Sequence, residues 1–169
     1  MLLGVGVMIF ISVGTTSFGF PRLIDQAIAY GTRCPEIKFV IQSGPYIPTV
    51  TIPKNIILRP YYSYEEMGSL MHSAQAVACH GGFGTIYGSL QKHKIPWVLP
   101  RLSRLGEHVS DHQVDLVNYL LKRNVVKLIK NSDSWNIMGL KKLSVGAPVF
   151  ESIEENKKTL LQKISTYYG

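Results

Sequence analysis

Six short apolar runs alternate along this chain with segments of helical character. That alternation restricts the fold more than any other feature. The runs lie at 9–13, 37–42, 55–58, 76–79, 96–99 and 125–129. Between them, Pro21 opens a helix to about residue 30, with its φ already set for a first helical turn. Ser63-Tyr64-Glu65-Glu66 has the form of a capping box and predicts a helix to about residue 73. Further helices are expected at 85–93, at 111–122 with Asp111 as cap, and, lysine-rich and amphipathic, at 151–167. Strands that alternate with helices imply a parallel sheet covered on both faces. The expected fold class is therefore α/β, a Rossmann-like doubly wound parallel sheet. In such sheets ligands bind outside the carboxyl ends of the strands, near the switch point. The loops with the most informative chemistry fall at those ends: 14–17, 60–62, 80–85 and 101–110.

The sharpest of these is His80-Gly81-Gly82-Phe83-Gly84-Thr85, which follows the apolar run Ala76-Val77-Ala78-Cys79. A strand, a glycine turn and a helix start form an anion-binding arrangement. Glycines let main-chain N–H groups approach closely, and the helix N-terminus adds partial positive charge. His80, at the strand end, supplies a further donor. No Gly-Lys-Ser/Thr follows, so the turn is not a P-loop. The loop after the first strand, Gly14-Thr15-Thr16-Ser17, lacks the glycine spacing of the dinucleotide fingerprint. A tight turn with no ligand is the plain alternative.

The second constellation is Gly106-Glu107-His108-Val109-Ser110-Asp111-His112-Gln113. Its side chains suit hydroxyls and phosphates, and its place between the fifth strand and a helix aims it at the same crevice. A capped helix on a solvated loop is the plain reading. A zinc reading rests on His108 and His112 four residues apart, but the order of a metalloprotease helix is absent, and no metal is expected. Tyr61 and Tyr62 follow the third strand at the ligand end and are candidates to flank a planar base; packing explains them equally well. His72, His93, Lys92 and Lys94 read as surface residues.

At 169 residues the chain is long enough for one good core, and no linker divides it, so a single domain over 1–169 is expected, with 1–7 as an over-long start. The first 13 residues are apolar but too few to span a bilayer, which takes about 20, and they lack the basic start and cleavage site of a signal peptide. Cys34 and Cys79 form no ligand cluster and suit a reducing compartment. A net charge of +7 favours anionic partners. No arginine-rich tract or RNA-binding aromatic motif is present, so nucleic acid is not expected as a partner.

These segments together resemble a known family. Met8-Ile9-Phe10-Ile11-Ser12-Val13-Gly14-Thr15, Ser63-Tyr64-Glu65-Glu66-Met67, His80-Gly81-Gly82, and Pro100-Arg101 followed by 106–113 resemble the C-terminal donor-binding domain of glycosyltransferase family 28. The similarity runs from about residue 8 to 129. It is strongest toward stand-alone subunits of two-component transferases, of the bacterial exopolysaccharide type and the eukaryotic dolichol-linked N-acetylglucosaminyltransferase type. The resemblance implies one half of a GT-B architecture that binds a UDP-sugar donor. It implies an inverting transfer of a hexose or N-acetylhexosamine to a lipid-linked acceptor at the cytoplasmic membrane face. A separate membrane-anchored subunit would bind that acceptor, and no cofactor is expected.

Carried over by position, Gly14, Thr15, Thr16, His80, Gly81, Gly82, Gly84 and Thr85 would hold the diphosphate. Asp111, His112 and Gln113 would contact the sugar, with Glu107 and His108 in the bacterial version of that loop. His112 or Glu107 is the weaker candidate for a base within this chain, the partner being the stronger source. One departure stands out. Where many GT-B enzymes place an acidic residue for the ribose hydroxyls, this chain has Gly88, beside Ser89. Two other classes stay open: a non-catalytic nucleotide-binding or scaffold subunit, and a domain related to sugar-nucleotide epimerases.

Overall fold

The computed structural model describes residues 6–130 and 132–135. The chain divides into two compact units, Met1–Asn136 and Ile137–Gly169, and every described residue belongs to the first. The helix expected at 151–167 lies outside the described residues.

The apolar runs form β1 (Met8–Ser12), β2 (Lys38–Gln42), β3 (Ile56–Arg59), β4 (Ala76–His80), β5 (Trp97–Leu99) and β6 (Lys127–Leu128). All neighbours in the sheet pair in parallel, in the order β3-β2-β1-β4-β5-β6. This is the Rossmann-like order, and its switch point lies between β1 and β4. There Ile9 pairs with Ala76 and Ser12 with Cys79. The carboxyl ends of these two strands carry the Gly14 and His80 loops, so the topology brings the two glycine-containing segments side by side.

The central strands are buried on both faces, as parallel strands are. Phe10, Ile11, Phe39, Ile41 and Val77 have almost no exposed surface. Successive side chains alternate between faces. Phe10, Val40 and Val77 pack with Met71 and Ala74 at the end of α2 (Tyr64–Ser73). On the other face, Phe39 meets the ring of Tyr30 in α1 (Pro21–Arg33), edge to face. Leu23, Ile24, Ala27 and Ile28 of α1 are buried with it, at the i, i+1, i+4, i+5 spacing of one helical stripe. The remaining helices are α3 (Phe83–Gln91) and α4 (His112–Leu121), with 3-10 turns at Ser103–Leu105 and Ser132–Trp135.

Some details differ from expectation. α3 begins at Phe83 rather than at residue 85, because Gly82 already has the extended conformation of a cap. β6 is two residues long instead of five. Asp111 occupies the cap position of α4, but its side chain makes no capping bond to that helix. Its Oδ1 instead accepts the N–H of Ser103 at 2.8 Å, which holds its carboxyl below the usual range.

The capping box at Ser63 forms in full. Ser63 Oγ accepts the N–H of Glu66 at 3.2 Å, and the Glu66 carboxylate accepts the N–H of Ser63 at 2.7 Å. Ser63→Ala is expected to lower stability by about 1 kcal/mol, read as a shifted midpoint with unchanged slope in urea unfolding.

Candidate anion site at the carboxyl rim of the sheet

The site is built around His80, the last residue of β4. Its imidazole lies between two glycines from different loops. Gly14 has φ +77°, and a Cβ there would come within 2.6 Å of the ring's Cε1 and Nε2. A Cβ on Gly82 would overlap Nε2 of the same ring. No side chain fits at either position: Gly14 is required by close approach and by its positive φ, Gly82 by close approach alone. His80 is 6 % exposed, and its Nδ1 has no hydrogen-bond partner among the described residues. Burial pushes its pKa down to about 4, and the charge of Arg101 adds to this. A main-chain hydrogen bond with Ser12 acts in the opposite direction without restoring the charge, so the imidazole is neutral at physiological pH and carries a single N–H.

The two loops beside His80 carry unused main-chain donors. The N–H groups of Thr15, Thr16 and Ser17 make no hydrogen bond among the described residues. The Gly14 loop is held from behind: Gln42 Nε2 donates to Gly14 O at 2.7 Å, and Gly14 N–H donates to Ser12 Oγ at 3.2 Å. Across from it, α3 starts at Gly82 with no side-chain cap, so its first N–H groups lack partners. Gly14, Thr15, Thr16, His80, Gly84 and Thr85 all line a single cavity of about 990 Å³. Unpaired amides, a helix N-terminus and a neutral imidazole donor in one cavity are suited to an anion.

The opposite wall of that cavity is α2, which supplies Glu65, Met67 and Gly68. The sequence marked Ser63–Met67 as a helix start and a point of family resemblance but did not place it at a cavity, because that depends on how α2 packs beside α3. Tyr62 lines the cavity above Phe10, with ring centroids 6.3 Å apart. Tyr61 is 49 % exposed and does not line it. Gly88, at the position of the departure noted above, lines the cavity against Met71, whereas the Ser89 hydroxyl is buried and donates to Lys94 O.

The segment after β5 plays a different structural part. Glu107 is 5 % exposed, and both its carboxylate oxygens are engaged. Arg22 Nε donates to Oε1 at 2.9 Å and Nη2 to Oε2 at 2.7 Å; Leu102 N–H also donates to Oε2. Gln113 Oε1 accepts the N–H groups of Gly81 at 3.0 Å and Arg101 at 3.1 Å, which ties the ends of β4 and β5 to the start of α4. His108 is half-buried, with its ring 6.1 Å from that of Phe18. His112 and Asp111 face solvent. None of Glu107, His108, Asp111, His112 or Gln113 lines the cavity. Among the described residues, no three His, Cys, Asp or Glu side chains gather as a metal-binding group.

Arg101 was quoted in the family resemblance, but sequence reasoning gave it no role. It stands two residues after β5, behind Pro100, and is fully buried. Nη1 donates to the carbonyls of Phe18, Gly19 and Glu107, and Nη2 to Val13 O at 2.8 Å. Its guanidinium lies 4.5 Å from the centre of the Phe20 ring. The available signal was a charged residue two positions after a buried strand, but three of its four carbonyl partners lie more than 80 positions away.

Comparison with known proteins fixes the family. The profile of the glycosyltransferase family 28 C-terminal domain matches residues 8–133. The chain belongs to that family. No curated protein sequence matches it significantly. Among solved structures, it is similar to CalG4, the calicheamicin glycosyltransferase, with TM-score 0.66 and 13% identity over 93% of this chain and 40% of that one. It is similar to the glycotransferase of kitacinnamycin, with TM-score 0.65 and 15% identity over 96% of this chain and 41% of that one. SnogD from Streptomyces nogalater gives TM-score 0.62 and 17% identity over 90% and 38%. The chain thus spans about two-fifths of the length of each of these glycosyltransferases and shares their α/β fold over that stretch.

Two outcomes follow for the His80 pocket. Gly82→Ala is expected to cost about 1–3 kcal/mol, because the imidazole must leave its place; calorimetric melting checks this. The folded pKa of His80 lies below the ordinary value of 6.5, so as pH falls the unfolded chain binds the proton first. His80 leaves stability undiminished above pH 6.5 and erodes it between there and about 4, by about 3 kcal/mol in all. Stability curves of wild type and His80→Asn should diverge in slope across that window.

Proposed function

We propose that this domain binds the diphosphate of a UDP-sugar donor and serves as the donor half of a glycosyltransferase. The observation that carries the reading is the meeting of two sets of unpaired amides, from the Gly14 loop and the start of α3, around a neutral buried His80. In the transfer, an acceptor hydroxyl oxygen attacks the anomeric carbon, and the bond from that carbon to the diphosphate oxygen breaks. The electron pair stays on the diphosphate, whose negative charge increases. Preorganised N–H groups and a helix N-terminus stabilise that charge more in the transition state than in the ground state. His80 contributes as a neutral N–H donor, so no proton needs to move on it.

Gly84 and Thr85 frame the phosphate side, with Gly14, Thr15 and Thr16 opposite; Gly82 contributes as the bare cap of α3, and Gly81 spends its N–H on Gln113. Glu107 and Gln113 act by fixing the loops, since their carbonyl and carboxylate oxygens are already engaged. The base that takes the acceptor proton is assigned to a partner surface. His112, solvent-facing at the start of α4, is the remaining candidate on this chain, beside His108 and Asp111 for sugar contact. Tyr62, with Tyr61 outside it, is placed to border the base.

The acceptor half is read as a second, membrane-anchored polypeptide carrying a lipid-linked acceptor, with a hexose or N-acetylhexosamine transferred with inversion at the cytoplasmic face. Large apolar side chains stand exposed on this rim, in support of docking there: Ile47 after β2 at 82 %, Tyr64 after β3 at 90 % and Val109 after β5 at 77 %. The net charge of +7 suits an anionic membrane surface. Among the described residues, no helix is long and apolar enough to cross a membrane.

UDP is expected to bind the isolated chain with micromolar-to-millimolar affinity, and His80→Ala to weaken it by about tenfold, the worth of one hydrogen bond to a charged group. Titration calorimetry reads both. Folded protein that shows no heat with UDP, alone or with the acceptor subunit, overturns the reading. Transfer assays with the co-expressed subunit over a panel of UDP-sugars then identify the sugar.

A further inference from the structure

Arg101 is a buried cation without a carboxylate of its own. The acid nearest in the chain, Glu107, directs its carboxylate to Arg22, and no carboxylate forms an ion pair with Arg101 among the described residues. Burying a charge in this way is costly unless its hydrogen bonds are supplied. Here four main-chain carbonyls supply those of the two terminal nitrogens, Nε having no partner among the described residues, and the four are not scattered. Val13 is the residue before the Gly14–Ser17 stretch; Phe18 and Gly19 are the residues after it. The fourth, Glu107 O, belongs to the loop after β5. One side chain therefore grips both ends of the loop that lines the cavity with Gly14, Thr15 and Thr16, and joins that loop to the next one along the rim.

We propose that Arg101 is a positioning residue for anion binding: its guanidinium pins Val13 on one side and Phe18 and Gly19 on the other, so that the Thr15 and Thr16 amides are presented already ordered. This assignment rests on the reading of the cavity as an anion site. A loop pinned at both ends loses little conformational freedom when a ligand arrives, and the affinity is higher for it. The fork geometry matters as much as the charge. A lysine offers a single rotatable ammonium and cannot span carbonyls on both sides of the loop. The buried positive charge also lies close enough to His80 to disfavour its protonation, which keeps the imidazole a neutral donor and the rim electropositive from behind.

The test uses the full chain, with UDP and uridine as probes. Uridine shares the nucleoside and lacks the anion. Calorimetry on Arg101→Lys and Arg101→Met should show UDP affinity reduced by at least about tenfold and uridine affinity within about twofold of wild type. Parallel loss of both ligands means that Arg101 is general scaffolding and overturns the proposal, as does a folded Arg101→Lys that binds UDP like wild type. Wild type that binds neither probe removes the anion-site reading itself. Should both variants fail to fold, NMR of the wild-type guanidinium decides: its resonances should shift on adding UDP and stay in place on adding uridine, and an unresponsive guanidinium overturns the assignment.

Discussion

The imidazole of His80 sits where two main-chain segments pass too closely for any side chain but its own. Gly14 from the β1 loop and Gly82 from the start of α3 close on its two sides. This packing depends on β1 and β4 being adjacent, and they are adjacent because the strand order reverses between them. The consequences reach outward. With Gly14 in a left-handed conformation, the chain turns sharply after Val13. With Gly82 as a bare cap, α3 begins with unsatisfied amides. With the ring buried and neutral, the space between is polar without being charged. The cavity's chemistry thus follows from one steric arrangement at a topological switch point.

Around that centre stands a ring of polar contacts that bind loops to one another. Gln42 and Ser12 hold the Gly14 turn. Gln113 holds the ends of β4 and β5. Arg22 and Glu107 form a bidentate pair, and Arg101 links the first and fifth loops. Each is largely shielded from water, where charge-assisted hydrogen bonds are strong and an unmet donor is costly. The polar density of the segment at 106–113 thus has a structural origin alongside any contact with sugar. A site that must stabilise developing charge needs such fixed surroundings, since donors that have to reorient lose much of their value.

The fold was largely legible in the sequence because its signals are local. Alternating runs, Pro21 at a helix start and the Ser63–Glu66 box each report on a few neighbouring residues, and each appears where expected. The glycine turn after β4 was legible for the same reason. The parts of 106–113 were less so. Glu107 looks like an acid for chemistry until Arg22, 85 positions away, is found on it. Gln113 looks like a sugar ligand until Gly81, 32 positions away, is found donating to it. Asp111 looks like a helix cap, but the Ser103 amide lies nearer to its carboxylate.

What the amino-acid order determined by itself was the set of elements and the places where the chain must turn. Hydrophobic period, proline and glycine act through steric effects within one or two turns of backbone. Which polar side chain meets the cavity and which meets another loop was decided by the tertiary structure. A carboxylate or amide is equally competent for either part, and its partner is selected by packing between elements distant in the chain. Arg101 shows the difference most plainly. Its charge is visible in the sequence, but the four carbonyls that give it a purpose come together only when β1, β4 and β5 lie side by side.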